Sequence, residues 1–272
     1  MSPLRLIVLG TDTDVGKTWV TTALARGLRG LGRQVWLHKP VACGDWDGVS
    51  AADGRALRAL CGDGQDPATV CPREFPEACS PHLAAQDTGV QVTLADLLAA
   101  VPLLDRDQAQ RTQRDAEGQP ENNNEQVSQP SSLWLSAPSA PSAPSAPSAP
   151  GHGSSLILET AGGLLAPLTH DRLTNADLAA ALGWPAILVT RPHLGTLNHT
   201  QLTVNEARRR GLRLLGLVIN HHAPVAPSLA TRTAATELAI LTGLPVLVES
   251  QYGADPATAL AAAVLAAHTA PS

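Results

Sequence analysis

The segment Thr11–Thr18, which reads Thr-Asp-Thr-Asp-Val-Gly-Lys-Thr, has the residue types of a phosphate-binding loop. It follows a short apolar run and precedes residues with helical spacing, so backbone N–H groups and a helix N-terminus would face a bound phosphate. Gly16 would permit close approach of the backbone, Lys17 would neutralise terminal phosphates, and the Thr18 hydroxyl could bind Mg²⁺. Thr11 replaces the first glycine of the strict consensus, but the context predicts nucleotide binding.

A phosphate-binding loop alone does not identify a reaction, because one fold carries many activities. Switch ATPases that partition chromosomes or position division sites share this architecture, and they typically carry a second lysine in the pattern K-G-G-x-G-K-T. Asp12 occupies that position in this chain. The loop therefore favours an enzyme, and a nucleotide-switch or partner-binding ATPase of the same fold is the alternative.

Short apolar runs alternate with segments of helical periodicity, which is typical of repeated strand–helix units. The runs are Leu4–Leu9, Gln34–His38, Leu156–Glu159, Ala186–Thr190, Leu214–Asn220 and Val246–Glu249. The helical segments are Lys17–Leu31, Ala51–Leu60, Thr93–Val101, Asn175–Leu182, Asn198–Arg210, Leu229–Leu241 and Ala257–Ala267. Runs rich in Val, Ile and Leu indicate strands buried on both faces. The pattern predicts a three-layer α/β fold, with a mostly parallel sheet of about seven strands covered by helices on both faces.

The segment Asp105–Gly153 does not fit this alternation. It begins rich in Gln, Asn, Asp and Glu, and residues 136–150 are five consecutive Ser-Ala-Pro units. Such a composition lacks the apolar side chains that offset the entropy of ordering, so it predicts a disordered insertion. A boundary between two domains is the alternative. Because two or three strands upstream are too few for an independent sheet, we predict one domain over residues 1–272, interrupted at about 105–153.

Composition excludes several classes of protein. Hydrophobic residues make up 44% of the 272, enough for a core, and the net charge is −5 without a basic run. Binding to nucleic acid or to an anionic membrane surface is therefore not expected, and no apolar stretch approaches the roughly 18–20 residues of a membrane span. The N-terminus is interpreted as a first strand rather than a signal peptide. The four cysteines form no C-x-x-C pair. Because no secretory signal is recognised, they are interpreted as reduced thiols in a cytoplasmic protein.

Six short motifs occur in an order that resembles the dethiobiotin synthetase family. They are Gly10–Thr18, His38–Gly44 (His-Lys-Pro-Val-Ala-Cys-Gly), Ser80–His82, Glu159–Gly163, Leu194–His199 and Gly216–Asn220. The resemblance covers nearly all of the chain except about residues 105–154. The phosphate loop and the Lys-Pro-Val-Ala segment are fairly specific together. Because this family is similar to other P-loop amidoligases, an enzyme acting on another substrate is the nearest alternative.

The resemblance implies ATP-dependent closure of the ureido ring of dethiobiotin from 7,8-diaminononanoate and CO₂, a step of biotin biosynthesis. In the family, a substrate amine forms a carbamate, the carbamate attacks the γ-phosphate, and the second amine closes the ring as phosphate leaves. The resemblance also implies Mg²⁺ as a cofactor beside ATP. It further implies a homodimer with the substrate carboxylate at the subunit interface.

The same resemblance implies roles for individual residues. Lys39 and Lys17 match catalytic residues, and Thr18, Asp53 and Glu159 match Mg²⁺ ligands. The residues that match ATP contacts are Asp14, Val15, Gly16, Lys17, Thr18, Trp19, Asp53, Glu159, Thr160, Ala161, Gly162 and Asn220, with Gln251 and Tyr252 after the last strand. Those that match substrate contacts are Thr13, Lys39, Cys43, Gly195, Thr196, Leu197 and Asn198.

General chemistry agrees with several of these roles. An anionic carbamate that attacks an anionic phosphate needs clustered cations. Glu159 ends an apolar run, where a buried carboxylate needs a cation as its partner. The N-terminal start of a helix attracts anions, so it suits the carboxylate of the substrate. The alternatives are that Lys39 is an ordinary exposed lysine, Asp53 a helix-start residue, and Thr196 or Asn198 a plain N-cap.

Two residues depart from the family pattern. Cys43 replaces the usual Ser or Thr, and a thiol is larger and a weaker donor than a hydroxyl. We therefore expect a weaker substrate contact there, or one made through backbone N–H groups. Thr160 replaces the usual glycine of Glu-Gly-Ala-Gly, which narrows backbone freedom beside the phosphates. A covalent mechanism through Cys43 is not expected, because nothing nearby supplies a general base.

Overall fold

The computed structural model of the chain describes residues 3–62, 64–102, 154–224 and 227–270. Its strands, in chain order, are β1 (Leu4–Gly10), β2 (Val35–His38), β3 (Ala42–Cys43), β4 (Glu74–Phe75), β5 (Ser155–Glu159), β6 (Ala186–Thr190), β7 (Leu214–Asn220) and β8 (Val246–Ser250). Six of them form one sheet in the order β2-β5-β1-β6-β7-β8. Every neighbouring pair in that sheet is parallel, so the α/β prediction is confirmed.

The number of strands in the main sheet is slightly lower than predicted. We expected about seven, and the described residues contain six. Each apolar run in the sequence forms one of these strands, and the described part of the chain has no seventh run to extend the sheet. The very short strands β3 and β4 pair with each other in a separate parallel ribbon.

Helices cover both faces of the sheet. In chain order they are α1 (Lys17–Gly30), α2 (Ala52–Arg58), α3 (Pro81–Asp87), α4 (Leu94–Ala99), α5 (Asn175–Leu182), α6 (Thr196–Arg209), α7 (Leu229–Thr242) and α8 (Ala257–Thr269). α3 was not predicted, although proline at a first helical position after Ser80 favours a helix start. α6 begins two residues earlier than expected.

Alternate residues of the strands divide the core into two apolar layers. In β1, Leu6 and Val8 belong to the layer that contains Leu24 of α1. Ile7 and Leu9 belong to the opposite layer, which receives side chains from α5, α6 and α7. All five residues are fully buried. A parallel sheet buried on both faces explains why its strands are continuously apolar in the sequence.

Strands from both sides of residues 103–153 belong to the main sheet, since β5 lies between β2 and β1. The predicted insertion at 105–153 lies outside the described residues, and the single-domain organisation stays a prediction. No helix in the described part of the chain is long and apolar enough to cross a membrane. All four cysteines are free thiols, and the cytoplasmic location stays a prediction.

Candidate active site

The carboxyl ends of four parallel strands bring predicted site residues to one edge of the sheet. The phosphate loop follows β1, Lys39 follows β2, Glu159 ends β5, and Asn220 ends β7. Asp53 approaches from the first turn of α2, so it is both a helix-start residue and part of this edge. Open α/β sheets present their ligand sites at such edges.

The phosphate loop turns through two left-handed residues, Asp14 (φ 55°) and Gly16 (φ 86°), just before α1 begins at Lys17. Left-handed residues in a turn can direct successive N–H groups to one side, which is how anion-binding nests form. The amide of Asn220 donates to the carbonyl of Val15 at 3.1 Å. A Cβ at position 16 would overlap that amide, so glycine is required there for space as well as for its φ angle.

Two carboxylates meet the hydroxyl of Thr18. Its Oγ1 lies 2.7 Å from Asp53 Oδ1 and 2.6 Å from Glu159 Oε1. A hydroxyl carries one proton, so it can donate to only one of these oxygens at a time. Glu159 is completely buried, and its Oε2 has no hydrogen-bond partner in the described ranges. The single hydroxyl proton of Thr18 therefore cannot satisfy both of the carboxylate oxygens that lie beside it.

Lys39 supplies positive charge to this centre. Its side chain is 2% exposed, and its Nζ forms ion pairs with Glu159 at 2.7 Å and with Asp53. Burial acts to lower the pKa of Lys39, but the charges of Glu159 and Asp53 outweigh it and hold the pKa above its usual value. Burial acts to raise the pKa of Asp53, and the charge and hydrogen bond of Lys39 lower it overall. Lys39 is therefore a buried, charged residue and not an ordinary exposed lysine.

Lys17 lies beside this cluster in a different electrostatic state. Its Nζ donates to the carbonyl of Asp12 at 3.0 Å. Burial, followed by repulsion from the charge of Lys39, lowers the pKa of Lys17 to about 8. The site thus holds one firmly charged lysine and one whose charge is lost at moderately alkaline pH.

Cys43 lies on β3 and is partly buried. Burial, followed by the neighbouring Cys79, raises the pKa of the Cys43 thiol to about 12. Because the thiolate is the nucleophilic form, Cys43 stays unreactive at neutral pH. This agrees with the expectation that the mechanism is not covalent through Cys43.

The start of α6 has no side-chain cap. Its N-cap residue is Gly195 (φ 94°), so the interpretation of Thr196 or Asn198 as the N-cap was wrong. The Thr196 hydroxyl is not available for capping because it lies 3.0 Å from the hydroxyl of Thr190 in the protein interior. First-turn N–H groups have no intrahelical acceptors. The helix start, with exposed Leu197 and Asn198, can therefore receive an anion.

A cleft of about 460 Å³ separates the phosphate loop from α6. Its walls are the phosphate loop, the connection after β5 and one face of α6. The lining residues are Thr11, Asp12, Thr13, Gly163, Leu164, Leu165, Ala166, His199, Leu202, Thr203 and Glu206. Thr13 and the helix that begins at Thr196 thus lie on opposite sides of one cleft, whereas Cys43 is outside its lining.

The other predicted ATP contacts surround this centre with different exposures. The backbone N–H and the hydroxyl of Thr160 both donate to the carbonyl of Val8, so its side chain is directed into the sheet. Trp19 is half-exposed on α1, beneath the guanidinium of Arg26. Gln251 and Tyr252 are exposed after β8. Their roles as nucleotide contacts stay predictions.

Asn175, at the start of α5, was missed by the sequence analysis. Its fully buried amide donates to the carbonyls of Ala161 and Gly163, at 2.6 and 2.8 Å. These bonds fix the turn through Gly162 (φ 73°) that directly follows Glu159. The Thr-Asn-Ala-Asp sequence there signals a capped helix start, but it does not show that the asparagine turns inward.

Comparison with known proteins finds a matching family model and several similar relatives. A family model described as an AAA domain matches residues 5–114 and 123–252. The ATP-dependent dethiobiotin synthetase BioD of Anaeromyxobacter dehalogenans strain 2CP-C is 34% identical over 219 residues, covering 80% of this chain and 77% of its own length. The protein of the same name from Ralstonia nicotianae is also 34% identical, with the same coverage. That from Rhodococcus erythropolis is 35% identical over 242 residues, covering 89% of this chain and 85% of its own.

These relatives confirm the family that the ordered motifs predicted. The family-model match spans the phosphate loop and the lysines and carboxylates that meet at the edge of the sheet, together with most of the remaining chain. The chain belongs to the dethiobiotin synthetase family.

Proposed function

We propose that this chain closes the ureido ring of dethiobiotin from 7,8-diaminononanoate and CO₂, converting ATP to ADP and phosphate. The observation that carries the proposal is the meeting of Lys39 with Glu159, Asp53 and Thr18 beside the phosphate loop. A carbamate and a γ-phosphate are both anionic, so their reaction needs positive charge held in place. A cleft of suitable position for a small substrate lies along the same loop.

Thr18, Asp53 and Glu159 fit a Mg²⁺ ion, and we propose that they hold it. All three offer oxygen ligands, which Mg²⁺ prefers. Glu159 Oε2 lacks a partner in the described part of the chain, and one hydroxyl proton is shared between two close carboxylate oxygens. The described part of the chain holds no group of three His, Cys, Asp or Glu suited to a metal, and the proposed set consists of two carboxylates and one hydroxyl. When bound, Mg²⁺ would neutralise charge on the phosphates.

The two lysines would divide the work of charge stabilisation. Lys17 would bind the terminal phosphates, and Lys39 would stabilise the carbamate and the γ-phosphate oxygens. A carbamate oxygen would form the new bond to phosphorus as the bond to ADP breaks. The second amine would then form the closing C–N bond while phosphate leaves with the carbamate oxygen. Each step moves negative charge that fixed cations stabilise.

The remaining ATP contacts are proposed on the family match. Asn220 would contact the adenine, since an amide both donates and accepts. The others are Asp14, Val15, Gly16, Trp19, Thr160, Ala161, Gly162, Gln251 and Tyr252.

The cleft would hold the diamine between the phosphate loop and α6. Its amines would lie near Thr13 in the cleft. Its carboxylate would be received across a dimer interface by the helix start formed by Gly195, Thr196, Leu197 and Asn198. The free N–H groups and the positive end of the helix dipole would stabilise that carboxylate.

We also propose a homodimer that covers this face. Leu194 is 92% exposed, Leu202 is 61% exposed and Leu165 is 51% exposed, and all three lie around the cleft or the start of α6. Several large exposed apolar side chains in one region favour contact with another surface. A second copy fits because the family match implies a dimer with the substrate carboxylate at its interface.

The Leu202→Glu variant should be monomeric, because it places a charge on the surface that the second copy would cover. Sedimentation velocity measures this directly. The matched control is Leu31→Glu, which changes a partly exposed leucine at the end of α1, on the other side of the sheet. The control should keep the oligomeric state of the unchanged protein. A dimeric Leu202→Glu variant would contradict the proposed interface.

The Cys43→Ser variant should bind diaminononanoate as well as the unchanged protein, or better. A hydroxyl is a stronger donor than a thiol that stays protonated at neutral pH. The measurement is the KM for diaminononanoate at saturating ATP. A total loss of turnover would mean that the thiol has a special role.

ADP formation with a panel of diamines tests the proposed function. We expect bicarbonate- and Mg²⁺-dependent ADP release with diaminononanoate, and much less with diamines of other length or without a carboxylate. A strong response to another diamine would indicate a related amidoligase instead. A nucleotide switch would be indicated if no diamine changed the rate of ATP turnover and if ATP changed the oligomeric state or the binding of a partner.

A further inference from the structure

We propose that the indole of Trp19 stacks on the base of the bound nucleotide, and that Arg26 and Asp255 hold the indole in place. The family match puts position 19 among the ATP contacts without saying which part of ATP it would meet. The inference concerns the ATP that the proposed reaction consumes, and in that respect it rests on the proposed function.

Trp19 lies at the end of the phosphate loop, in the first turn of α1. A Cβ at Gly16 would meet the amide of Asn220 at 2.0 Å and the Cβ of Trp19 at 3.9 Å, so both side chains lie beside the same glycine. The amide of Asn220 is the group proposed to contact the base. A nucleotide with its phosphates on the loop and its base at Asn220 would therefore pass close to Trp19.

The indole of Trp19 keeps a large apolar surface open at this position. Trp19 is 43% exposed, whereas Trp36 on β2 is 1% exposed. An aromatic face stacks well on a nucleotide base, because every base presents a π-face of its own. Tyr252, after β8, is a second exposed ring at this edge of the sheet, and it is therefore the rival candidate for the stacking contact.

The guanidinium of Arg26 supports the indole. Its Cζ lies 5.7 Å from the centroid of the Trp19 ring, which is within the range of a cation–π contact. Residues 19 and 26 are about two turns apart on one face of α1. Because helical side chains lean toward the N-terminus of their helix, Arg26 reaches the ring from the side that is farther from the phosphate loop.

Asp255 fixes Arg26 in turn, from the connection between β8 and α8. Arg26 Nη2 donates to Asp255 Oδ1 at 3.0 Å, and the same oxygen accepts a bond from the N–H of Ala257 at 3.1 Å. This ion pair is well exposed, so it adds little to stability. Its effect is to orient Arg26 and, through it, the indole.

The Trp19→Leu variant tests the stacking contact, because leucine keeps an apolar side chain and removes the ring. We expect the Kd for ATP to rise about tenfold, as for the loss of one base–aromatic contact. The Kd for inorganic tripolyphosphate, which has no base, should change less than about twofold. The matched control is Trp184→Leu, which removes a partly buried tryptophan just before β6 and should leave both values unchanged. Calorimetry with Mg²⁺ present measures all of them.

Two further variants test the supporting residues. Arg26→Met keeps the apolar stem without the charge, and it should raise the Kd for ATP about threefold. Asp255→Asn keeps an oxygen for the N–H of Ala257 but loses the ion pair, so it should raise the Kd by less. Neither change should affect tripolyphosphate. Neither should have a further effect in the Trp19→Leu variant, since both residues act through the ring.

Tryptophan fluorescence gives a second readout that does not depend on the reaction. ATP should quench the emission of the unchanged protein more than that of Trp19→Leu, and tripolyphosphate should quench neither. Equal losses of ATP and tripolyphosphate affinity in Trp19→Leu would overturn the proposal, and so would a loss of ATP affinity in Tyr252→Leu but not in Trp19→Leu. If ATP binds as expected and no dethiobiotin forms, the proposed function fails and the role of Trp19 stands.

Discussion

Replacing Lys39 with alanine should abolish dethiobiotin formation while ATP still binds. Among the described residues, Lys39 and Lys17 are the two lysines near the carboxylates of Asp53 and Glu159. The ammonium of Lys39 would stabilise the negative charge that develops between carbamate and phosphate. Loss of one such group typically costs about 10²- to 10³-fold in turnover. Product formation by mass and ATP affinity by calorimetry, on the same preparation, measure the two effects separately.

The Lys39→Ala change should also destabilise the protein without Mg²⁺. It leaves Glu159 fully buried without its cation, and breaking a buried pair in this way costs about 3–5 kcal/mol. Urea unfolding with and without Mg²⁺ measures this, and Mg²⁺ should restore more stability to the variant than to the unchanged protein.

A double variant separates stability from catalysis. Lys39→Met with Glu159→Gln removes both buried charges, so it should be more stable than Lys39→Ala yet equally inactive. Near-normal turnover of either Lys39 variant would show that the assignment of its role is wrong.

Replacing Lys17 with alanine should weaken ATP binding itself, by about 100-fold or more. Its ammonium would face the terminal phosphates. Without it, the negative charge of those phosphates is poorly neutralised, and a hydrogen bond between charged groups is lost. Turnover should fall as well, because nucleotide no longer saturates the site. Lys17→Met, which keeps the length of the stem but not the charge, should behave like alanine.

The lowered pKa of Lys17 adds a pH signature to this prediction. Burial and the charge of Lys39 bring its pKa to about 8 in the free protein. The charged form prevails below that value, so ATP affinity of the unchanged protein should fall as the pH rises through about 8. The Lys17→Met variant has no such group and should lose this dependence. Equal pH profiles for the two proteins, measured by calorimetry from about pH 6.5 to 9, would contradict the role given to Lys17.

The main sheet could be predicted because its strands carry the signal in themselves. Runs such as Leu156–Glu159 and Leu214–Asn220 are apolar throughout, as strands buried on both faces must be. The ribbon of β3 and β4 could not be predicted, since strands of two residues have no periodicity to detect. The start of α6 was misplaced because Thr196 looks like a cap, whereas its hydroxyl is held by Thr190.

The candidate site could be predicted only where motifs carry it. The phosphate loop and Lys39 were recognised from residue order along short segments. The inward amide of Asn175 and the contact between Thr11 and Thr190, which are 179 positions apart, depend on packing between distant elements. A single sequence shows the types of these residues but not which of their groups meet.

Reaction with ¹³C-labelled bicarbonate distinguishes ring closure from simple hydrolysis of ATP. The protein is incubated with ATP, Mg²⁺, diaminononanoate and the labelled bicarbonate, and products are analysed by mass spectrometry with ADP measured in parallel. We expect dethiobiotin that carries the ¹³C label, in amounts equal to the ADP formed. ADP release without labelled dethiobiotin would contradict it.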